Sequence, residues 1–238
     1  MNVVKVSWSG GKDSTADIIL ETFDGNKCKI VSFIPMLTND IPLIRKGHYE
    51  HILKCAERFR QWGHDVNIVT GRTYVEHFSR IKTRGKYKGT IAGYDLGIGY
   101  CKFRDYSKIA TLKDFDVGHY DYESIGIAYD EVKRHNQLND KLRSTLCEHH
   151  YTEQMSFNLC KAWDMLSPQY DLTGRDGCCI CPNAKDIEYI EYLKEFPQAK
   201  EILIELDCIY NNSYNVKPDK PFRNHENFTD KMKRLNII

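Results

Sequence analysis

The sequence predicts an α/β protein built on a doubly wound, mostly parallel five-stranded sheet, with a helical C-terminal extension that carries a cysteine cluster. Three observations predict it. Short β-branched, apolar runs alternate with stretches of helical apolar spacing through the N-terminal part of the chain. A glycine-rich turn separates the first such run from the first helical stretch. The later part reads as helices on either side of Cys178-Cys179-Ile180-Cys181.

The elements follow in order. Val3–Trp8 is short, apolar and β-branched, and reads as a buried strand. Residues 9–14 form the turn, and residues 15–23 a helix ending near Asp24-Gly25. Residues 29–34 are a second strand stopped by Pro35. Residues 48–62 place Ile52, Cys55, Ala56 and Phe59 at helical spacing, closed by Gly63. Asp65–Thr70 is a third strand. Right-handed crossovers then put the first strand centrally, its C-terminal end opening on a ligand crevice. Residues 80–99, rich in Lys, Arg, Gly and Tyr, read as a mobile loop, and a lid that orders over a nucleotide is one reading of it. Residues 103–115 read as a helix, 124–129 as a buried strand and 130–143 as mostly helical. Residues 152–166 read as a helix capped by Thr152. Residues 174–182 form a cysteine-rich turn, residues 183–195 and 198–210 short helices, and the tail from Asn211 is polar. The expected division is a nucleotide-binding α/β domain over 1–145 and a helical, cysteine-rich extension over 146–238 packed on it.

With 238 residues, 41% of them hydrophobic, the chain has material for a substantial core. A formal net charge of +1 gives no global argument for nucleic-acid or membrane binding. No apolar run approaches the roughly 20 residues of a membrane helix. Residues 1–7 run straight into a strand pattern without the features of a signal peptide. The expectation is a cytoplasmic protein without membrane contact, its nine cysteines mostly reduced. Clustered cysteines then point to metal or redox chemistry before structural disulfides.

Ser9-Gly10-Gly11-Lys12-Asp13-Ser14, between a strand and a helix, suits an anion. The two glycines let backbone N–H groups approach phosphate oxygens, and the helix start adds its positive dipole end. Lys12 supplies a full charge, Ser9 and Ser14 hydroxyl donors, and Asp13 a helix-start carboxylate or a ligand for Mg²⁺. The plain alternative is a Gly-Gly turn with an ordinary helix cap. The spacing is too short for the G-x-x-x-x-G-K-[ST] loop. The segment resembles the S-G-G-x-D-S loop of the PP-loop ATP pyrophosphatase superfamily, with its Rossmann-like (HUP) fold. Members cut ATP between the α- and β-phosphates, and many use the AMP to activate an oxygen on a second substrate.

Cys178 and Cys181 form a C-x-x-C pair, which lets two thiolates meet one metal or cluster from a tight turn. Pro168-Gln169-Tyr170 and Gly174-Arg175-Asp176-Gly177 precede it, and Gly126-Ile127-Ala128-Tyr129-Asp130-Glu131 with Arg134 lies upstream. These pieces resemble the PAPS reductase-like branch of the same superfamily, with its G-I-x-x-x-E-x-x-R and S-P-x-Y…R-x-G-C-x-x-C-P segments. The resemblance spans scattered motifs from residue 3 to residue 195. It implies an adenine nucleotide held by Ser7 and residues 9–14, with Asn39 or Asp40 near the nucleoside and Gly126 and Ile127 beside it. It also implies that Tyr100-Cys101-Lys102-Phe103-Arg104, with Lys113, faces the substrate.

Two departures bear on the chemistry. Sulfonucleotide reductases of the branch usually carry an altered loop, whereas the ATP-cleaving form is intact here. They also end in a tail with a nucleophilic cysteine, whereas the last cysteine here is Cys208. The iron–sulfur members have a paired cysteine before the C-x-x-C, and only Cys101 stands in that place. The metal candidates are Cys178, Cys181, Cys179, Cys160 and Cys101, with Cys147, His149 and His150 in reserve, for zinc or an iron–sulfur cluster. Cys160 packing as a small apolar residue is the alternative.

The functional expectation is an enzyme that binds ATP with Mg²⁺, cleaves it between the α- and β-phosphates and adenylates an acceptor. Lys12 and Asp13 are the principal candidates for catalysis, with Arg104, Arg134 and Arg175 as further cations. One alternative is a PAPS or APS sulfonucleotide reductase or sulfotransferase. Another is a nucleotide- or nucleic-acid-associated module without turnover. The acceptor, a small molecule or a nucleic acid, is not legible. Oligomeric state is open, a homodimer being one candidate. The basic run at 80–88 and the tail cations Lys217, Lys220, Arg223, Lys231, Lys233 and Arg234 read as solvated charge or as a polyanion surface.

Overall fold

The computed structural model describes residues 1–85, 87–94, 96–97, 100–175, 177–211 and 226–238. Lys86, Asp176, Lys217, Lys220 and Arg223, named above, lie outside the described residues. The fold is α/β. Its main sheet contains β1 (Val3–Trp8), β2 (Lys27–Ile34), β3 (Asp65–Thr70), β4 (Tyr122–Ser124) and β5 (Leu142–Arg143) in the order β3-β2-β1-β4-β5, all parallel and flanked by helices. Val4, Val6 and Trp8 alternate as the buried positions of β1, which pairs with β2 on one side and β4 on the other. β1 is therefore central, and the strand order reverses between β1 and β4.

The chain packs as two discontinuous compact units. One comprises Met1–Ile34, Gly47–Val69 and Leu112–Asp176, the other Pro35–Lys46, Thr70–Thr111 and Gly177–Ile238. Both draw on residues before and after position 145. In the first unit, α1 (Lys12–Phe23) packs on the sheet, on the turn Thr145–Glu148 and on α4 (Glu153–Ala162). Ala16, Leu20, Leu146 and Cys160 form one apolar cluster there. Trp8 meets Phe59 of α2 (Lys46–Gln61) edge-on at 5.2 Å and donates its indole N–H to Thr15 at 2.9 Å. In the second unit, α3 (Tyr74–Ser79), α5 (Asp186–Glu195), α6 (Pro197–Asn211) and α7 (Phe228–Arg234) surround a core rich in tyrosine and leucine. Thr73 and Glu76 close a capping box at the start of α3. Asn227 and Asp230 do the same for α7, a helix inside the tail that reads as merely polar.

Three expectations are corrected. The strand expected over 124–129 ends at Ser124. Residues 125–128 leave the sheet because Gly126 must lie against the backbone of the α1 N-terminus, and Ile127 folds back to bond the Ile125 carbonyl at 2.8 Å. The helix expected over 130–143 is only a 3₁₀ segment, Val132–Gln137, followed by β5. Its residues carry no apolar stripe to bury, and Glu123 and Ser124 offer β5 a parallel edge to pair with. The helix expected over 103–115 runs instead through Lys102–Arg104, a π-helical turn at Asp105–Ile109 and Ala110–Asp114. Thr152 does cap α4, accepting the Met155 N–H at 3.3 Å.

Residues 80–92 are not an open loop at their base. Ile81 and Ile91 form an antiparallel bridge, Lys82 and Ala92 donate to Thr90 and Arg80 at 2.8 and 2.7 Å, and Gly89 donates to Lys82 at 2.8 Å. The segment is a hairpin whose tip includes the described residues 83–85, 87 and 88, anchored by the buried Phe78 and Tyr94.

Candidate functional site

The turn after β1 lies where the strand order reverses, the position at which open parallel sheets receive ligands. Gly10 has φ +79, and a side chain there would meet Ile52 Cγ1 at 2.6 Å and His48 Cε1 at 3.0 Å. Only glycine fits both the conformation and the space. Gly11 precedes α1 in an extended conformation and offers no side-chain cap. The first N–H groups of α1 lack intrahelical partners.

The polar groups of the turn are tied into one network. Ser9 and Ser14 hydroxyls lie 3.2 Å apart, the Gly11 N–H donates to Ser9 Oγ at 3.3 Å, and Ser14 Oγ donates to the Gly11 carbonyl at 3.3 Å. The Lys12 ammonium bonds both Asp13 oxygens at 2.9 and 2.8 Å and approaches Glu153 at 3.8 Å. Burial raises the Asp13 carboxyl above the usual range, and Lys12 opposes that shift. The turn is thus a partly buried site in which one ammonium balances a carboxylate that desolvation disfavours.

A second layer holds the Lys12 backbone. Its N–H donates to the Tyr170 hydroxyl at 3.0 Å, and its carbonyl accepts from the Cys160 thiol at 3.2 Å. Burial pushes that thiol up to about 12, so Cys160 stays protonated and keeps its donor. Ser167, three residues before Tyr170, bonds His48 Nδ1 at 2.7 Å, and His48 is the ring that closes on Gly10. The sequence marked Tyr170 as part of a motif but gave it no role. Nothing in the spacing of His48 or Ser167 singles them out, because their partners are more than a hundred residues away.

Of the residues expected beside the turn, Gly126 is there. A Cβ on it would meet Ser14 N at 2.5 Å and Asp13 C at 2.7 Å. Ile127 is fully buried, and its carbonyl accepts from Ser144 Oγ at 2.7 Å and Cys147 Sγ at 3.2 Å. Arg134 bonds Glu131 at 2.9 Å, and Glu131 also accepts the Ala128 N–H at 3.1 Å, so this pair braces the end of the same loop. The Ser7 hydroxyl donates to Glu123 of β4 at 3.2 Å. Arg175 is half-buried, with its carbonyl bonded to Thr173 Oγ1 at 3.2 Å. Beneath the turn, Asp17 is fully buried, takes hydrogen bonds from Ser124 Oγ and Thr145 N–H, and is pushed up to about 7 by burial.

Asn39, Asp40 and Arg104 belong to the second unit. Asn39 and Asp40 are exposed at the tip of a turn closed by Leu37 N–H on the Ile41 carbonyl at 2.7 Å. Arg104 bonds Asp105 at 3.1 Å.

The cysteine turn is also in the second unit, and its setting is apolar. Cys179 and Ile180 are 1% exposed among Tyr189, Tyr192 and Leu193, with Cys101 and Cys178 packed against the same cluster. Burial raises the Cys178 thiol well above its ordinary value, and Cys181, Cys179 and Cys101 add to that. Among the described residues, no group of three or more His, Cys, Asp or Glu side chains is placed to hold a metal ion. Cys160 lies in the first unit, in an apolar cluster with Ala16, Leu20 and Leu146.

No family model matches the chain, and no curated protein matches it. No helix among the described residues is long and apolar enough to cross a membrane.

Proposed function

We propose that the protein binds ATP through residues 9–14, cleaves it between the α- and β-phosphates and passes the adenylyl group to an acceptor oxygen. The observation that carries this reading is the Ser-Gly-Gly-Lys-Asp-Ser turn at the sheet's reversal point, with the α1 N-terminus behind it and Gly126 pressed on its first turn. Backbone N–H groups and two hydroxyls there face the place where pyrophosphate oxygens would lie. The Lys12 ammonium exchanges its bonds to Asp13 for phosphate oxygens and stabilises the charge that grows on the departing pyrophosphate. The acceptor oxygen attacks the α-phosphorus, the bond to the bridging oxygen breaks, and pyrophosphate leaves with that electron pair. Asp13 is the carboxylate that would hold Mg²⁺, because it stands in the turn itself and already bonds a cation, the Lys12 ammonium. The metal would supply further neutralisation of phosphate charge.

Replacing Lys12→Ala is expected to lower pyrophosphate release from ATP by about 100-fold or more, with the cooperative unfolding transition retained. Unchanged release would refute the role. Sulfite release from a sulfonucleotide with a thiol reductant, and no pyrophosphate from ATP, would transfer the site to reductase chemistry.

A further inference from the structure

Charge is segregated in this chain. Residues 80–111 contain eight Lys and Arg against two Asp, a net +6 in a chain whose total is +1, so the remainder carries −5. The near-neutral total conceals a strongly basic segment. The structure gives that segment a defined form within the second unit. Arg84 and Lys88 are exposed at the tip of the stitched hairpin, and Lys82 is half-buried with its ammonium 5.8 Å from the Tyr87 ring. At the hairpin base, the Arg80 guanidinium lies 4.5 Å over the ring of Tyr106, which sits on the π-helical turn and is 48% exposed. Lys102 and Arg104 are exposed on the same helical stretch, and its nearest acid, Asp105, is shared between them at 3.9 and 3.1 Å.

A basic run that is only solvated surface is ordinarily balanced by interspersed acids. This one has almost none, and it holds aromatic rings among its cations. Cations that track a phosphate backbone beside rings on which bases stack are what a single-stranded nucleic acid requires. A phosphorylated peptide would use the charges and leave the rings idle. The cations are also spread over a hairpin tip and a short helical stretch, not set in a stripe along one helix that could lie in a duplex groove.

We propose that the hairpin at residues 80–92 and the helical stretch beside it bind single-stranded nucleic acid. This surface is independent of the nucleotide reading: it stands whether or not the turn at 9–14 cleaves ATP.

The test uses the full chain and a fluorescent single-stranded 20-mer of mixed sequence, titrated at several salt concentrations, with Lys82→Ala, Arg84→Ala and Lys88→Ala combined in one variant. Each phosphate contact contributes about 0.7 to the log–log salt slope for single strands, so the triple variant is expected to lower the slope by about 2. Tyr106→Ala is expected to weaken binding about tenfold at constant slope, and Tyr106→Phe to restore it, a pattern that lost folding would not give. Pyrophosphate release from ATP, where present, stays unchanged in the triple variant. Absence of binding, tighter binding of the matching duplex, or equal competition by inorganic polyphosphate with no effect of Tyr106→Ala would each overturn the proposal.

Discussion

Two turns in this molecule carry the residues that draw attention in the sequence, and they are built on opposite principles. The turn at residues 9–14 is held by polar groups. Its serines bond each other and the backbone, its lysine bonds its aspartate, and Ile52 closes on it where Gly10 has no side chain. The turn around Cys178–Cys181 is held by exclusion of water. Its backbone makes a turn bond, Cys181 N–H to the Cys178 carbonyl at 3.2 Å, and a long-range one, Cys179 N–H to the Leu43 carbonyl at 2.8 Å, while Cys178 and Cys179 pack with leucine, isoleucine and tyrosine. Burial raises the Cys178 thiol well above its ordinary value, whereas in the first setting Lys12 opposes the rise that burial imposes on Asp13. A motif therefore states which atoms are available, and its surroundings decide which protonation state they hold.

The comparison is broken most severely at glycine. Gly126→Ala would drive a methyl into backbone atoms at 2.5–2.8 Å, and no side-chain rotation relieves it. We expect a loss of about 3 kcal/mol or more in a denaturant titration, together with loss of pyrophosphate release. Gly174→Ala, at the entry to the cysteine turn, meets nothing within 4 Å and should fall within about 0.5 kcal/mol of the parent protein. Equal effects at the two positions would remove the distinction.

Serine substitutions sharpen it at the next level. Cys179→Ser puts a hydroxyl into the tyrosine–leucine cluster and should cost about 1–3 kcal/mol. Cys160→Ser places the hydroxyl where the Lys12 carbonyl already accepts, so its cost should stay under about 1 kcal/mol. Equal unfolding midpoints for the two variants would show that the surroundings of the sulfurs do not differ as described.

The smallest effect belongs to Tyr170→Phe. The ring keeps its edge contact with Phe157, and the hydroxyl on the Lys12 N–H is lost. About 0.5–1.5 kcal/mol of stability should go with it. In the ATP reading, KM for ATP rises several-fold while the denaturation slope is unchanged. An unaltered KM would confine Tyr170 to a structural part.

Much of the fold was legible because its signals are local. Val3–Trp8 and Asp65–Thr70 fall where β-branched spacing puts them, and Thr152 caps α4 through a bond three residues away. What the sequence misstates depends on remote partners. Residues 125–128 read as strand from their apolar character, yet Gly126 is bound to the start of α1 and cannot stay in the ladder. β5 is two residues long and has no pattern of its own, since its register is supplied by Glu123 and Ser124. The six residues of the turn at 9–14 were readable as a unit. Their supports, His48, Ser167, Tyr170 and Cys160, were not, because they reach the turn from three other stretches of chain.

Lys12 shows what those supports accomplish. Its amide hydrogen is gripped from one distant segment by Tyr170 and its carbonyl oxygen from another by Cys160, so its Cα is a fixed fulcrum. From that fulcrum extends a four-carbon lever whose tip rests on the neighbouring carboxylate. An arriving anion can draw the tip across by rotations about the lever's own bonds, leaving the peptide frame still. The turn is in that sense a hinged latch mounted on a rigid post.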